Sequence, residues 1–339
     1  MGVALEIEDV LAKLDPKTRK RFIAASEVEV IKQPSPSVGM NVALNGGFAY
    51  GRQIMVYGNK AAGKSSFCLE MAGHAQKAGK TVALMDVEGT FDPDWAVKLG
   101  ADPEQILYSD ASNAAHVTNS VVDLLDAEVD VIIVDSISSM LSAVYFEKDS
   151  DELKGLENTK QIGNDAKDVG NAVKMWNYAN KNTLLVLVSQ VRNKITPMFT
   201  KPDATGGFAP RFYSTTVIKL WSSEAENNQI KGGLYVGDKI IQQPIGREVN
   251  WTIENNKTGR QFVTGKYDFY YAGDHIGIDR CGDIIDVAEA YGLIEKSGHW
   301  YLFKDDKVNG RAAMIKRLYE NQDEFLGLEG AVYDACGMG

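Results

Sequence analysis

Gly58-Asn59-Lys60-Ala61-Ala62-Gly63-Lys64-Ser65 fits the spacing G-x-x-x-x-G-K-[ST], with Ser66 directly after it. Glycines there let a backbone curl until its N–H groups converge on phosphate oxygens. Lys64 adds a point charge for the β/γ oxygens, and the Ser65 hydroxyl can ligand Mg²⁺. Such a loop needs a strand before it and a helix N-terminus after it, whose dipole favours anions. Ile54–Tyr57 supplies the short apolar run and Lys64–Lys77, closed by Gly79, the helical stretch. The plainer alternative is a glycine-rich turn that holds nothing.

Val131-Ile-Ile-Val-Asp135-Ser136 is an apolar run ending in an acid. Open α/β sheets bind ligands at the C-terminal ends of their strands, so Asp135 is placed to hold Mg²⁺ through water. A helix-cap role is the alternative. Glu88 follows the apolar run Thr81–Met85, which is expected beside the phosphate-loop strand. From there a carboxylate would face a γ-phosphate and orient an attacking water, unless it is simply a solvent-facing acid in a turn.

A second chemistry starts at Gln190, where the run Leu184–Ser189 ends. About twenty residues then pass without periodicity, a length that marks a functional or disordered loop. Arg192, Lys194, Lys201 and Arg211 stand there against Asp203, with Ile195, Met198 and Phe199 lacking an evident core face. Cations beside apolar side chains that can meet or wedge bases suit a single-stranded nucleic acid. A mobile substrate lid is the alternative. The acid-rich stretch 144–163 says nothing about nucleic acid by itself.

These residues need a scaffold, and the surrounding text supplies one. Ile106–Tyr108 is a further buried-strand candidate, and Val117–Leu125 and Ala166–Ala179 have helical spacing between such runs. Continuous apolar runs without alternation require a parallel sheet covered on both faces. After Ser189, Val217–Trp221, Tyr235–Ile241, Val249–Ile253 and Gln261–Tyr271 predict an antiparallel extension. A compact unit follows from Gly282: a helix over Ile284–Tyr291, a strand at Trp300–Phe303, a turn at Lys304–Gly310 and a final helix over Arg311–Tyr319. At the other end, Leu5, Val10, Leu11 and Leu14 form a sparse helical stripe, Val28–Ile31 is a short β-type run, and Pro34–Ser37 reads as a linker. That lead-in is too small to fold alone and must pack on the body or on a neighbouring copy.

Among 339 residues, 46 acids against 36 Lys and Arg leave a net charge of −10, with 44% hydrophobic residues. This is a globular composition that excludes disordered, collagen-like and disulfide-scaffold classes. Cys68, Cys281 and Cys336 stand apart with no metal or disulfide spacing, which points to a reducing compartment. Without a membrane-length apolar run or a signal-like start, the expectation is a cytoplasmic protein with no membrane contact. Net acidity disfavours a non-specific nucleic-acid coat but leaves room for a local basic groove.

Beyond the phosphate loop, ordered stretches accumulate: Gly51-Arg52, Gly79-Lys80-Thr81, Asp86-Val-Glu88, Phe91-Asp92-Pro93, Lys98-Leu99-Gly100, Val129–Ser136, Gln190–Ile195, Met198-Phe199, Thr205-Gly206-Gly207, Phe212-Tyr213 and Leu293–Gly298. Over about residues 25–325 the sequence resembles the RecA family of homologous-recombination ATPases. The resemblance implies an α/β fold: a RecA-like P-loop core with a mostly parallel sheet and antiparallel extension, an N-terminal arm at 1–36, the core at 37–275 and a small α/β domain at 276–339. It implies DNA-stimulated ATP hydrolysis with ATP and Mg²⁺, and helical filaments on single-stranded DNA that pair with double-stranded DNA, the ATP lying between protomers. Glu88 would activate water, with Lys64 beside it, and Gln190 would sense the γ-phosphate. Asp92 and Trp95 would hold adenine, with Lys257 and Tyr271 completing the nucleotide contacts. The DNA-facing loops would be 144–163 and 192–211, with Arg192, Lys194, Ile195, Met198, Phe199, Gly206, Gly207 and Arg211 at the DNA. Asn255 and Lys257 stand where bacterial members carry two lysines, Ser189 replaces a typical asparagine, and the end lacks a strongly acidic tail. A RecA-core helicase or branch-migration protein would carry a zinc or primase-contacting module, for which the cysteines give no spacing. An ATP-gated DNA-binding regulator would have lost part of the Lys64, Ser65, Glu88 and Asp135 set. A small-molecule kinase would need an acceptor pocket.

Overall fold

A computed structural model describes residues 6–147, 152–154, 164–195, 200–204, 209–223, 225, 228–236 and 239–338, with side chains omitted at 192–195, 200–204 and 234–236. In chain order it begins with α1 (Ile7–Ala12), α2 (Pro16–Arg19), β1 (Lys32–Gln33), α3 (Val38–Ala43) and β2 (Phe48–Ala49). The core then runs β3 (Gln53–Gly58), α4 (Lys64–Lys77), β4 (Val82–Asp86), α5 (Pro93–Lys98), β5 (Ile106–Ser109), α6 (Ala114–Asp126), β6 (Val131–Asp135), α7 (Asn164–Ala179) and β7 (Leu184–Ile195). It continues through β8 (Thr200–Ala204), α8 (Ala209–Tyr213), β9 (Thr216–Trp221), β10 (Gln229–Val236), β11 (Lys239–Asn256), β12 (Val263–Tyr270) and β13 (Gly277–Ile278). Last come α9 (Arg280–Ala290), β14 (Glu295–Ser297), β15 (Trp300–Phe303), β16 (Asp306–Asn309), α10 (Arg311–Glu320) and α11 (Gln322–Ala335).

The main sheet has the order β13-β12-β11-β9-β3-β7-β6-β4-β5, parallel from β9 to β5 and antiparallel from β9 to β13. Every residue of β3 and β4 is buried, because the parallel strands are covered on both faces. Ile54, Val56, Leu84 and Ile133 point to the face under α4, whereas Met85, Ile132, Val134 and Leu187 pack under α6 and α7. This is the α/β arrangement, with antiparallel extension and small α/β C-terminal unit, that the apolar runs demand.

Several elements differ from the sequence expectation. Thr81–Met85 was expected beside the phosphate-loop strand; β4 instead lies three places from β3, with β7 and β6 between them. The run Tyr235–Ile241 is not one strand but the two arms of a hairpin, Tyr235 pairing with Ile240 and Val236 with Lys239. Val28–Ile31 forms no strand; pairing with β2 at Ala49 and Phe48 shifts the strand to Lys32–Gln33. Pro34–Ser37 is a packed junction rather than a linker: Ser37 caps α3 at Met40 N and donates to Asp283 at 2.8 Å. The turn at Lys304–Gly310 holds β16, paired with β15, and α10 is followed by α11 rather than ending the chain.

The C-terminal unit has its own apolar cluster, including Ile284, Ile285, Tyr301, Phe303, Leu318, Phe325 and Leu328. It meets the body where Ser37 Oγ, at the start of α3, donates to the Asp283 carboxylate of α9. Within the body the Glu70 carboxylate on α4 accepts from the Ile278 N–H of β13 at 3.0 Å, and burial pushes that carboxyl up to about 8. The arm over 6–31 contains no buried residue, and Ile7, Phe22, Ile23 and Ile31 are more than half exposed. Leu5 lies outside the described residues. The three cysteines are free, and among the described residues no helix is long and apolar enough to cross a membrane.

Candidate functional site

The phosphate loop leaves β3 and enters α4 as the motif requires. Gly58 has no room for a side chain, since a Cβ there would stand 1.9 Å from the Leu220 carbonyl oxygen of β9. Gly63 caps α4 at φ 81 with nothing near an added Cβ, so its demand is purely conformational. Ala61 also adopts a left-handed φ of 60. Left-handed residues interleaved in a loop turn successive N–H groups to one side and make an anion-binding concavity. Asn59 Nδ2 anchors the loop to the Ser222 carbonyl at 3.2 Å, while Lys60 stays exposed and Ala62 is buried. Lys64 is 8% exposed, and its ammonium donates to the carbonyls of Asn59 and Gly58 at 3.0 and 3.3 Å. Burial lowers its pKa, opposed by the Asp135 and Glu88 carboxylates.

Those two carboxylates differ. Asp135, at the end of β6, is pushed up to about 6 by burial, against a hydrogen bond from the Ser65 side chain. Glu88 also feels burial, but hydrogen bonds from Ser136, Gln190 and Ser139 outweigh it and hold the carboxyl below its usual value. An ionised Glu88 is what a general base requires. Its position follows from the turn after β4. The Asp86 carboxylate accepts from Phe91 N–H at 2.8 Å, and Val87 N–H donates to the Asp135 carbonyl at 2.8 Å, so the chain folds across the end of β6. Glu88 thereby reaches β7 at Gln190, whose Nε2 donates to its Oε1 at 2.7 Å. The separation of β4 from β3 does not remove Glu88 from the loop, because this turn carries it back.

Sequence reasoning missed the hydroxyls that hold Glu88. Ser136 and Ser139 donate to Oε1 at 2.5 and 3.1 Å, and Ser138 Oγ accepts the Gln190 N–H at 3.2 Å. The available signal was the density of serines, Ser136-Ile137-Ser138-Ser139, directly after a strand that ends in a candidate metal acid.

Asp92 caps α5 through Asp94 N–H and Trp95 N–H, and Trp95 Nε1 donates to Ser66 Oγ at 3.3 Å. A recess of about 70 Å³ beside the loop is lined by Ser65, Asp86, Phe91, Asp92, Trp95 and Asp135, among others. Asp92, Trp95 and Ser66 are thus joined next to the phosphate loop. Lys257 and Tyr271 are not. Lys257 N–H bonds the Thr215 carbonyl, and Thr215 N–H bonds the Gln53 carbonyl, at the opposite end of β3 from Gly58. Five residues of strand, roughly 17 Å, separate the two ends. Lys257 Nζ donates to the Phe212 carbonyl at 2.8 Å. Tyr271 follows β12, three strands to the side of β3, with its N–H on the Ile245 carbonyl.

The stretch expected as structureless from Gln190 onward begins as a hairpin. β7 continues to Ile195 and pairs with β8, matching Arg192 with Asp203 and Lys194 with Lys201. The apolar run Leu184–Ser189 ends at the sheet's edge, but backbone pairing carries the strand outward. Arg192, Lys194 and Ile195 are placed here by backbone only, and Met198, Phe199, Gly206, Gly207 and most of 144–163 lie outside the described residues. Arg211 faces inward: its guanidinium pairs with Glu254 at 3.2 Å and stacks 4.5 Å from the Tyr57 ring centroid. Tyr57 OH donates to the same carboxylate at 2.6 Å. The strand register skips Glu254, a bulge that turns its side chain to this face. In this structure Arg211 is thus engaged with Glu254 and Tyr57.

The residues at the loop fit ATP with Mg²⁺. The concave backbone, the buried Lys64 and the bonded Ser65–Asp135 pair supply phosphate donors and a hydroxyl–carboxylate set. Among the described residues no cluster of three or more His, Cys, Asp or Glu could hold a metal alone. Two family models match the chain, the RecA N-terminal domain over residues 8–275 and the RecA C-terminal domain over residues 282–337.

Proposed function

The chain belongs to the RecA family, and on that premise we propose that it is an ATP-dependent recombinase that forms helical filaments on single-stranded DNA and pairs them with double-stranded DNA. One observation carries the reading furthest. Gln190 is hydrogen-bonded to Glu88 at the nucleotide end of the sheet, and its own strand runs on without a break into the basic hairpin. Nucleotide chemistry and DNA contact thus share one element.

Bound ATP supplies the phosphoanhydride to be cleaved, and Mg²⁺ the charge that offsets its oxygens. The chain does the rest. Loop N–H groups and Lys64 hold the phosphates, and Ser65 and Asp135 hold the ion. Ionised Glu88 orients a water and accepts its proton. Asp92 and Trp95 form the adenine side, and Arg192 and Lys194 meet DNA phosphates. The exposed apolar arm over 6–31 docks on the next protomer, and Lys257, too far from its own phosphate loop, serves the nucleotide of a neighbour. The parts are an arm at 1–36, a core at 37–275 and a C-terminal domain at 276–339, acting in the cytoplasm.

The reading is tested by phosphate release with and without single-stranded DNA, alongside electron microscopy of the same samples. Hydrolysis is expected to need Mg²⁺ and to rise strongly with DNA, on filaments. Equal rates without filaments would return the protein to an ATP-gated regulatory role. A second test isolates Gln190. Its amide can bond a γ-phosphate in one nucleotide state and lose that bond after hydrolysis, so DNA affinity follows the nucleotide. Gln190→Ala is expected to keep basal ATP and DNA binding but to remove their mutual enhancement, typically ~1–3 kcal/mol. An unchanged ratio of DNA affinity between ATP analogue and ADP would show the coupling to run elsewhere.

A further inference from the structure

The three serines after β6 form more than a polar turn. Ser136 and Ile137 are fully buried, and the hydrogen bonds that run from Ser136 to Glu88 and to Ser138 are partly buried. Glu88 Oε1 accepts from three donors among the described residues: Ser136 Oγ, Gln190 Nε2 and Ser139 Oγ. Among the described residues no hydrogen bond joins Ser138 to Glu88; Ser138 Oγ stands 2.8 Å from Ser136 Oγ and 3.2 Å from the Gln190 backbone nitrogen.

Each hydroxyl has one proton to give, and that fixes the sense of the chain. Ser136 spends its proton on Glu88, so it can only accept from Ser138. Ser138 therefore donates to Ser136 and accepts from the Gln190 N–H. The result is a one-way series: β7 backbone N–H to Ser138, Ser138 to Ser136, Ser136 to Glu88. From this series we infer that Ser138 is a positioning residue, through which the strand entering the DNA-facing hairpin sets the attitude of the Glu88 carboxylate.

This inference rests on the reading of Glu88 as base and of the hairpin as DNA contact. It also separates two routes between the same strand and the same carboxylate. The Gln190 side chain can leave Glu88 for another partner. The Gln190 backbone cannot, so the Ser138 route persists whatever side chain occupies position 190. Contacts that order the hairpin then bear on Glu88 directly, through a backbone atom of β7.

The test compares wild type, Ser138→Ala and Ser138→Thr, full chain, with ATP, Mg²⁺ and single-stranded DNA. Small misplacement of a catalytic group lowers turnover by one to two orders of magnitude, so Ser138→Ala should lose ~10-fold or more of the DNA-stimulated kcat. KM for ATP should stay within about twofold, because ground-state binding is untouched. Ser138→Thr keeps the hydroxyl and should restore turnover. The ratio of DNA affinities with ATP analogue and ADP should stay at the wild-type value in Ser138→Ala, unlike in Gln190→Ala. A wild-type kcat in Ser138→Ala overturns the inference, as does an equal loss in the threonine variant or a changed affinity ratio. If wild-type hydrolysis ignores DNA, the recombinase reading and this inference fall together; if only the variant comparison fails, the inference falls alone.

Discussion

Lys64→Ala is expected to reduce DNA-stimulated ATP hydrolysis to the detection limit. Its ammonium lies buried in the curl of the loop, 3.0 Å from the Asn59 carbonyl, with the Asp135 and Glu88 carboxylates close enough to perturb it. It is the cation that these two acids share. Without it, phosphate oxygens would enter beside two carboxylates with no ammonium to offset them. At about 4 Å and an effective dielectric near 20, one such interaction is worth about 4 kcal/mol. Removing a single preorganised donor to developing charge already costs ~10²–10³ in turnover. Phosphate release with saturating single-stranded DNA measures the effect, and a thermal melt checks that the loop still folds. Turnover above about a tenth of wild type would take Lys64 out of the reaction.

Glu88→Gln is expected to leave ATP binding within a few-fold while hydrolysis falls by ~10² or more, the scale for removing a general base. The substitution keeps the side-chain length, and its amide oxygen can still accept from Ser136 and Ser139. What disappears is the negative charge that those hydrogen bonds stabilise at neutral pH. A protein that binds ATP but cannot spend it should remain on DNA as a long-lived filament. Single-turnover hydrolysis, analogue affinity and DNA dissociation rate together check this. Normal turnover in the variant would make Glu88 a structural acid bonded to a serine turn.

Contiguous chemistry was legible in the chain alone. The phosphate loop is a short run whose spacing is its own geometry, and Lys64–Lys77 is a helix from its first residue to its last. The buried runs Val131–Val134 and Leu184–Val188 declared a sheet covered on both faces, because only such strands dispense with alternation. Asp135 followed at once from standing at the end of one of them.

Strand order, register and pairing over distance were decided only by the tertiary structure. Glu88 and Gln190 are 102 residues apart, and no local pattern states that they share a hydrogen bond. The placement of β4 beyond β6 and β7 depends on crossovers whose energies are settled by the whole sheet. The hairpin of β7 with β8, and the division of Tyr235–Ile241 between two strands, are choices of partner. A single residue's slip in register would turn every side chain to the other face. Arg211 shows the same limit: in the chain it is one more cation of a basic loop. Only the bulge at Glu254 and the ring of Tyr57 turn it inward. Residue types and local spacing therefore marked which side chains are candidates for the proposed chemistry. Long-range backbone pairing decided which of those residues meet, because the free energy of each pairing belongs to two segments that the sequence holds far apart.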